Sequence, residues 1–308
     1  MASESDRRDF LSLLSLGGVV VASGLAGCAG RSPPAATSPA SGAAAAKPAR
    51  DFFFLQLSDT HVGYVGAANP ESERTLAHAV ETIVASSVKP DFVVFTGDLT
   101  HTTDDPGERR SRMRRFSEAI SRLDVPIRFL PGEHDAAPDH GEAYVERFGA
   151  LTSTFDHEGV HFVALDNASM PGGEIGTAQL GWLEDDLHKL DPATPLVVLA
   201  HRPLFDLQLD WEWATKDGAR AIELLSKREN VTVFHGHIHQ ELHRQTGAIA
   251  HHSARSLVFP LPAPGSVPKK APLPWDAASE DHGLGWRSIA CAHRDVRATE
   301  VPYRGRRG

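Results

Sequence analysis

Nine residues of this 308-residue chain stand at spacings that suit metal-assisted hydrolysis. They are Asp59 and His61, Asp98, Glu133 with His134 and Asp135, His201, and His237 with His239. Carboxylate oxygen and imidazole nitrogen are ligands that hydrolytic metal ions accept, and two-metal sites hold their ions about 3.5–4 Å apart. A carboxylate shared between two such ions screens their repulsion. Asp59-x-His61 and His237-x-His239 would each aim two side chains the same way if the chain is extended there, because alternate residues of a strand share a face. Glycine precedes Asp98, Glu133 and His237, which suits a tight turn out of a strand.

The elements that must carry these residues are legible as apolar runs. Phe52–Leu57, Phe92–Phe95, Ile127–Leu130, Leu196–Leu199 and Val231–Phe234 read as buried strands, and each ends just before one of the polar groups. Helical spacing is predicted over Leu76–Val88, Glu108–Leu123, Tyr144–Phe148, Thr177–Leu190 and Lys216–Lys227, with further strands at Thr154–Asp156 and His161–Leu165. The chain beyond them is Pro-rich and then strand-like. Strands alternating with helices, β-rich at the end, predict an α/β layered fold. In open α/β sheets ligands gather at the carboxyl ends of the strands, so residues scattered in sequence can converge there.

The blocks Asp59-Thr60-His61, Gly97-Asp98, Gly132-Glu133-His134-Asp135, Ala200-His201 and Gly236-His237-Ile238-His239 resemble, in order and spacing, the motifs of the calcineurin-like metallophosphoesterase superfamily. The resemblance runs from Phe52 to His239. It implies an α/β four-layer fold, a double β-sandwich flanked by helices, and two divalent or mixed-valence metal ions (Mn, Fe or Zn). By resemblance Asp59, His61 and His239 would hold one ion, Asp98 would bridge, and Glu133, His201 and His237 would hold the second. A hydroxide between the ions would attack the phosphorus of a phosphomono- or phosphodiester in line. His134 would protonate the leaving group, oriented by Asp135. One position departs from the pattern, with Glu133 where the family has Asn. Three readings are open. Glu133 coordinates directly and favours a more highly charged cation, it swings out and weakens the second site, or the site is inactive. Direct coordination is the reading favoured here.

The chain begins with Arg7-Arg8 before an apolar stretch, Leu11–Leu25, that ends in Leu25-Ala26-Gly27-Cys28. This resembles a twin-arginine export signal (residues 1–27) with a lipobox at Cys28. The other reading is a plain secretory signal with Cys28 incidental. Residues 28–50 are rich in Ala, Pro and Ser, the composition of a flexible tether, and 51–308 form the phosphoesterase domain with a Pro-rich C-terminal extension. The expected location is exported, periplasmic or extracytoplasmic, with membrane contact only through the N-terminal anchor.

A net charge of −9 argues against a general nucleic-acid binder, which needs a basic surface. Cys28 and Cys291 are the two cysteines, so the folded part has one thiol and no internal disulfide. Isolated histidines are by default structural or surface residues, and His78, His101, His157, His188, His243 and His293 are read so. His235 is a candidate support behind the ligands. The five arginines between Arg109 and Arg115 read as a solvated helix face, with an anion-binding patch as the alternative. Trp211 and Trp213 are either core or an apolar rim for substrate. The competing function is a catalytically weak or inactive scaffold on the same fold, acting through protein contacts.

Overall fold

The computed structural model describes residues 50–292 and 295–302. The export signal, Cys28, the tether up to residue 49, and His293 lie outside the described residues. Chain order is β1 (Phe52–Leu57), α1 (Ser72–Ala85), β2 (Phe92–Thr96), α2 (Pro106–Ile120), β3 (Ile127–Leu130), α3 (Glu133–Ala136), α4 (Glu142–Phe148), β4 (Ser153–His157), β5 (Val160–Ala164), α5 (Thr177–Leu187), β6 (Leu196–Leu199), α6 (Gly218–Leu225), β7 (Val231–His235), β8 (Leu242–Thr246), β9 (Ile249–Ser253), β10 (Gly285–Ala292) and β11 (Asp295–Pro302).

Two sheets form. One has the order β11-β10-β1-β2-β3, the other β4-β5-β6-β7-β9-β8. Strands β1, β2 and β3 run parallel, as do β5, β6, β7 and β9. Their carboxyl ends therefore face one edge of each sheet.

Side chains alternate across the pleat, and this sorts the apolar residues into layers. Phe52, Phe54, Phe92 and Val94 of the first sheet meet Phe162, Val197, Leu199 and Phe234 of the second. Phe54 stacks on Phe92 at 4.8 Å and meets Phe162 edge-on at 5.6 Å. The opposite face, with Phe53, Leu55, Val93 and Phe95, packs on α1 and α2 through Leu76, Ile83, Met113 and Phe116. Val163, Val198 and Val233 pack on α5 and α6 through Leu183, Leu187, Ala221 and Leu225. The result is the four-layer sandwich, helices outside and two sheets inside. Full burial of each such side chain stabilises the fold by roughly 1.5–3 kcal/mol.

Helix α2 begins where Asp105 accepts hydrogen bonds from the backbone N–H groups of Gly107 and Glu108, with Pro106 in the first turn. Four of its five arginines are paired: Arg109 with Asp139, Arg110 with Glu146, Arg112 with Glu108 and Arg115 with Glu73. The anion-patch alternative therefore loses most of its free charge, with the exposed Arg114 left over. Trp211 and Trp213 are buried edge-to-face at 4.9 Å and pack with Ile238, so they are core and not a rim. Among the described residues no helix is long and apolar enough to cross a membrane.

Candidate metal centre

The site lies at the carboxyl ends of β1, β2, β3, β6 and β7. The approach to it differs from simple strand alternation. Asp59, His61, Asp98, His237 and His239 all have left-handed backbones, with φ of 55°, 42°, 48°, 68° and 53°. They are five of the eight non-glycine residues with positive φ among the described residues. Each such residue costs roughly 1–3 kcal/mol, so it persists only where the surroundings over-determine it. Here they do. Asp59 N–H donates to Gly97 O at 3.1 Å, and His61 N–H donates to Asp98 O at 2.9 Å. His237 N–H donates to Asp59 Oδ2 at 3.1 Å. The left-handed turns, and not an extended chain, bring Asp59 with His61 and His237 with His239 to one place.

The glycines differ in their reasons. Gly97 has φ of 91°, a conformation that favours glycine. Gly132 has an ordinary φ of −104°. A side chain there would strike the carboxylate of Asp98, so what it supplies is room.

Two ligand sets result. Asp59, His61 and His239 converge in one, and Asp98, Glu133, His201 and His237 in the other, with ligand atoms within 4.8 Å of one another in each. Asp98 stands between them. Its Oδ1 accepts from His134 N–H at 3.0 Å, and its Oδ2 lies 3.4 Å from both His61 Nε2 and His201 Nε2.

Each histidine has one nitrogen committed and one aimed inward. His201 Nδ1–H donates to Thr96 O at 2.8 Å and His239 Nδ1–H to Phe259 O at 2.7 Å. His237 uses the other nitrogen, with Nε2–H donating to Glu212 O at 3.1 Å. Such outer contacts fix the tautomer and leave the inner nitrogen as a ligand. His201 Nε2 and Glu133 Oε2 lie 2.9 Å apart, yet neither makes a hydrogen bond. Two buried polar atoms aimed at a common point with no partner fit a cation between them.

Glu133 is turned into the site. Its Oε1 is 2.9 Å from His237 Nδ1, and Arg202 Nε is 3.6 Å from its Oε2. The swung-out reading is thus not the conformation seen. Burial raises the Glu133 pKa, but His237, His201 and Arg202 outweigh it and hold the group well below the usual carboxylate range. Burial likewise lowers His201, and Asp98 with Glu133 reverse that to well above the usual histidine value. Around His61 burial dominates and is joined by His134, His239 and His101, so its pKa falls well below the ordinary value. Pockets that crowd anionic oxygen around imidazole nitrogen favour a cation, whether proton or metal.

Asp135 requires a correction. Its carboxylate accepts from Leu99 N–H, Thr100 N–H, Thr100 Oγ1 and Gly132 N–H at 2.8–3.0 Å. It therefore ties the loop after Asp98 to the loop after β3 and does not orient the His134 ring. Burial, with Asp98 nearby, pushes its pKa up to about 6. The His134 ring is held instead by Thr102 N–H, which donates to Nδ1 at 3.1 Å. That leaves the ring proton on Nε2, 4.0 Å from Asp98 Oδ2.

His101 is also no bland surface histidine. Its Nδ1 lies 3.1 Å from His61 Nδ1 and its ring stacks on His134 at 4.9 Å. Burial, then His134 and Arg112, lower its pKa to about 4. Position Asp98+3 alone did not signal this. Arg202, directly after His201, also escaped the motif reading.

The calcineurin-like phosphoesterase profile matches residues 54–241, more than half of the chain. The chain belongs to the calcineurin-like phosphoesterase family. It is 28% identical over 201 residues to a probable cyclic nucleotide phosphodiesterase of Rhodococcus erythropolis, covering 61% of this chain and 64% of that protein. The match thus spans just under two thirds of that relative. A 3′,5′-cyclic adenosine monophosphate phosphodiesterase of Vibrio vulnificus is 25% identical over 258 residues, covering 80% of this chain and 88% of that one. Among solved structures, a dimetal phosphatase from Danio rerio superposes with a TM-score of 0.56 at 14% identity, covering 84% of this chain and all of the other. That likeness is one of fold. Calcineurin-like phosphoesterases use a dinuclear metal centre, and the two ligand sets are its counterpart here.

Proposed function

We propose that this chain is a metal-dependent phosphoesterase acting on phosphodiesters, with phosphomonoesters as the second substrate class. One observation carries the reading: Asp98 Oδ2 stands at 3.4 Å from a histidine of each ligand set, the placement a bridging carboxylate requires. Asp59, His61 and His239 would hold one ion and Glu133, His201 and His237 the other, with Asp98 common to both. Mn, Fe and Zn suit this mixed oxygen and nitrogen set, and the third carboxylate, Glu133, favours the more highly charged member. When bound, such ions act as Lewis acids on phosphoryl oxygen and lower the pKa of water.

The chain's own residues supply the rest. The left-handed strand-end turns and the carbonyls behind His201, His237 and His239 fix where the ligand atoms point, and groups fixed in this way need little reorganisation. His134, about one-quarter exposed and with Nδ1 accepting from Thr102, would hydrogen-bond the leaving oxygen through Nε2–H; it gives that proton up only as the imidazolium, once Nδ1 also carries a proton and has left Thr102 N–H. The cyclic nucleotide relatives support diesters as the first substrates to try.

The test is the full chain loaded with Mn²⁺, offered bis(p-nitrophenyl) phosphate, p-nitrophenyl phosphate and cyclic AMP, with Asp98→Asn as the blank. Turnover of any substrate that the blank abolishes supports the reading. Two tightly bound ions with no turnover of any substrate would favour the inactive scaffold. Export and lipid attachment at Cys28 belong to the same proposal and rest on the sequence of residues 1–28. Cys28→Ala should move the protein from the membrane to the soluble fraction.

A further inference from the structure

The four histidines that face the ligand sets are not held alike. His201, His237 and His239 each donate to a main-chain carbonyl, which no substitution of a partner side chain removes. His61 alone has a side chain at its outer nitrogen, that of His101. His61 Nε2 faces Asp98 Oδ2 at 3.4 Å and His239 Nε2 at 3.3 Å. To offer Nε2 as a ligand, the neutral ring must carry its proton on Nδ1, and His101 Nδ1 is then the acceptor.

His101 is well placed to be that acceptor. Its backbone N–H donates to Val62 O at 3.0 Å, and its carbonyl accepts from Arg112 Nη1 at 3.0 Å. Tyr64 meets its ring edge-on at 5.2 Å. Its ring face lies against His134 with planes 23° apart, and the next residue, Thr102, donates to His134 Nδ1. One loop residue thus touches both a metal-facing histidine and the candidate acid.

We propose that His101 is a positioning residue for this site. Its Nδ1 holds His61 in the tautomer that presents Nε2 inward, and its ring face sets the plane of His134. The proposal rests on the phosphoesterase reading only for the role of His134. The tautomer of His61 stands apart from it.

The experiment uses the full chain labelled with ¹⁵N-histidine, metal-free and then titrated with Zn²⁺, read by proton–nitrogen correlation of the ring atoms. His239 reports one ligand set and His201 the other. In the wild type, His61 should carry its proton on Nδ1. His101→Phe keeps a ring against His134 but removes the acceptor. It should weaken Zn²⁺ binding reported by His239 by about 10- to 100-fold, the usual effect of losing an outer-shell partner, and leave that reported by His201 unchanged. His101→Asn returns an acceptor oxygen without the ring. It should restore binding, yet lower kcat on esters with poor leaving groups. A His61 proton on Nε2 in the wild type, or wild-type binding at both sets in His101→Phe, overturns the proposal. If His101→Phe does not fold, the wild-type tautomer and the Asn variant decide. Binding and tautomer shifts as expected, with no turnover in the wild type, would instead sink the phosphoesterase reading.

Discussion

Two pairs of buried histidines in the same sheet, one beyond the ends of β6 and β7 and one within β9, are shifted in opposite directions. At the strand ends, His201 and His239 face Asp98, Glu133 and Asp59, and those carboxylates outweigh burial and raise their pKa values. Within the strands, His251 and His252 of β9 face no such charge. Burial, with Arg244 beside His251 and Arg287 beside His252, lowers them to about 4 and about 3. His251 is fully buried with neither ring nitrogen hydrogen-bonded. The two groups are buried to the same degree. Burial alone therefore lowers a histidine, and facing carboxylates reverse that at His201 and His239 but not at His237 or His61, where burial still wins.

The comparison can be broken in four places. The largest expected effect is that of Asp98→Asn. It removes the shared charge from both ligand sets and should lower kcat/KM on a diester by at least about 10³-fold, roughly 4 kcal/mol, with the thermal melt little changed. A variant retaining wild-type turnover would refute the bridging role. Next, His134→Gln should reduce turnover by about 10²–10³-fold for alkyl leaving groups. The loss should be much smaller for p-nitrophenolate, which leaves without a proton. An equal loss on both would remove His134 as the acid.

Glu133→Gln should weaken one ion by about 10- to 100-fold and leave the other in place. Metal content after dialysis against graded chelator reads this. Loss of both ions together would mean that the sets are not separable.

The smallest effect tests the interior group. A neutral buried histidine with a depressed pKa stabilises the fold fully above its unfolded value near 6.5, and that contribution is lost as pH falls toward its folded value. Between about pH 6.5 and 4, the unfolded chain binds one more proton for each such residue, a slope of about 1.4 kcal/mol per pH unit. His251→Phe should remove one proton from that slope, read from urea midpoints at several pH values. It should leave turnover untouched. Parallel stability curves for the two proteins would show that His251 does not titrate as placed.

Helix α2 and strands β3 and β6 lie close to where their periodicity puts them, because local patterning encodes them. The hairpin of β8 and β9 was not legible. Leu242–Thr246 is mostly polar and only half-buried, and Ile249–Ser253 carries two histidines where apolar residues are expected. Its place beside β7 is a long-range pairing that no local pattern encodes. The site divides in the same way.

From the chain alone come the polar residues that follow each strand, their order, and the family they resemble. These are properties of short segments whose backbone leaves each strand at its carboxyl end. The tertiary structure decides which nitrogen of each histidine faces inward, because the partners that choose it, Thr96 O, Glu212 O and Phe259 O, are between 20 and 105 residues away in sequence. It also decides that Asp135 braces two loops and that His101 backs His61. Hydrogen bonds form between groups near in space, and only the packed sandwich brings those groups within 3 Å or so of one another.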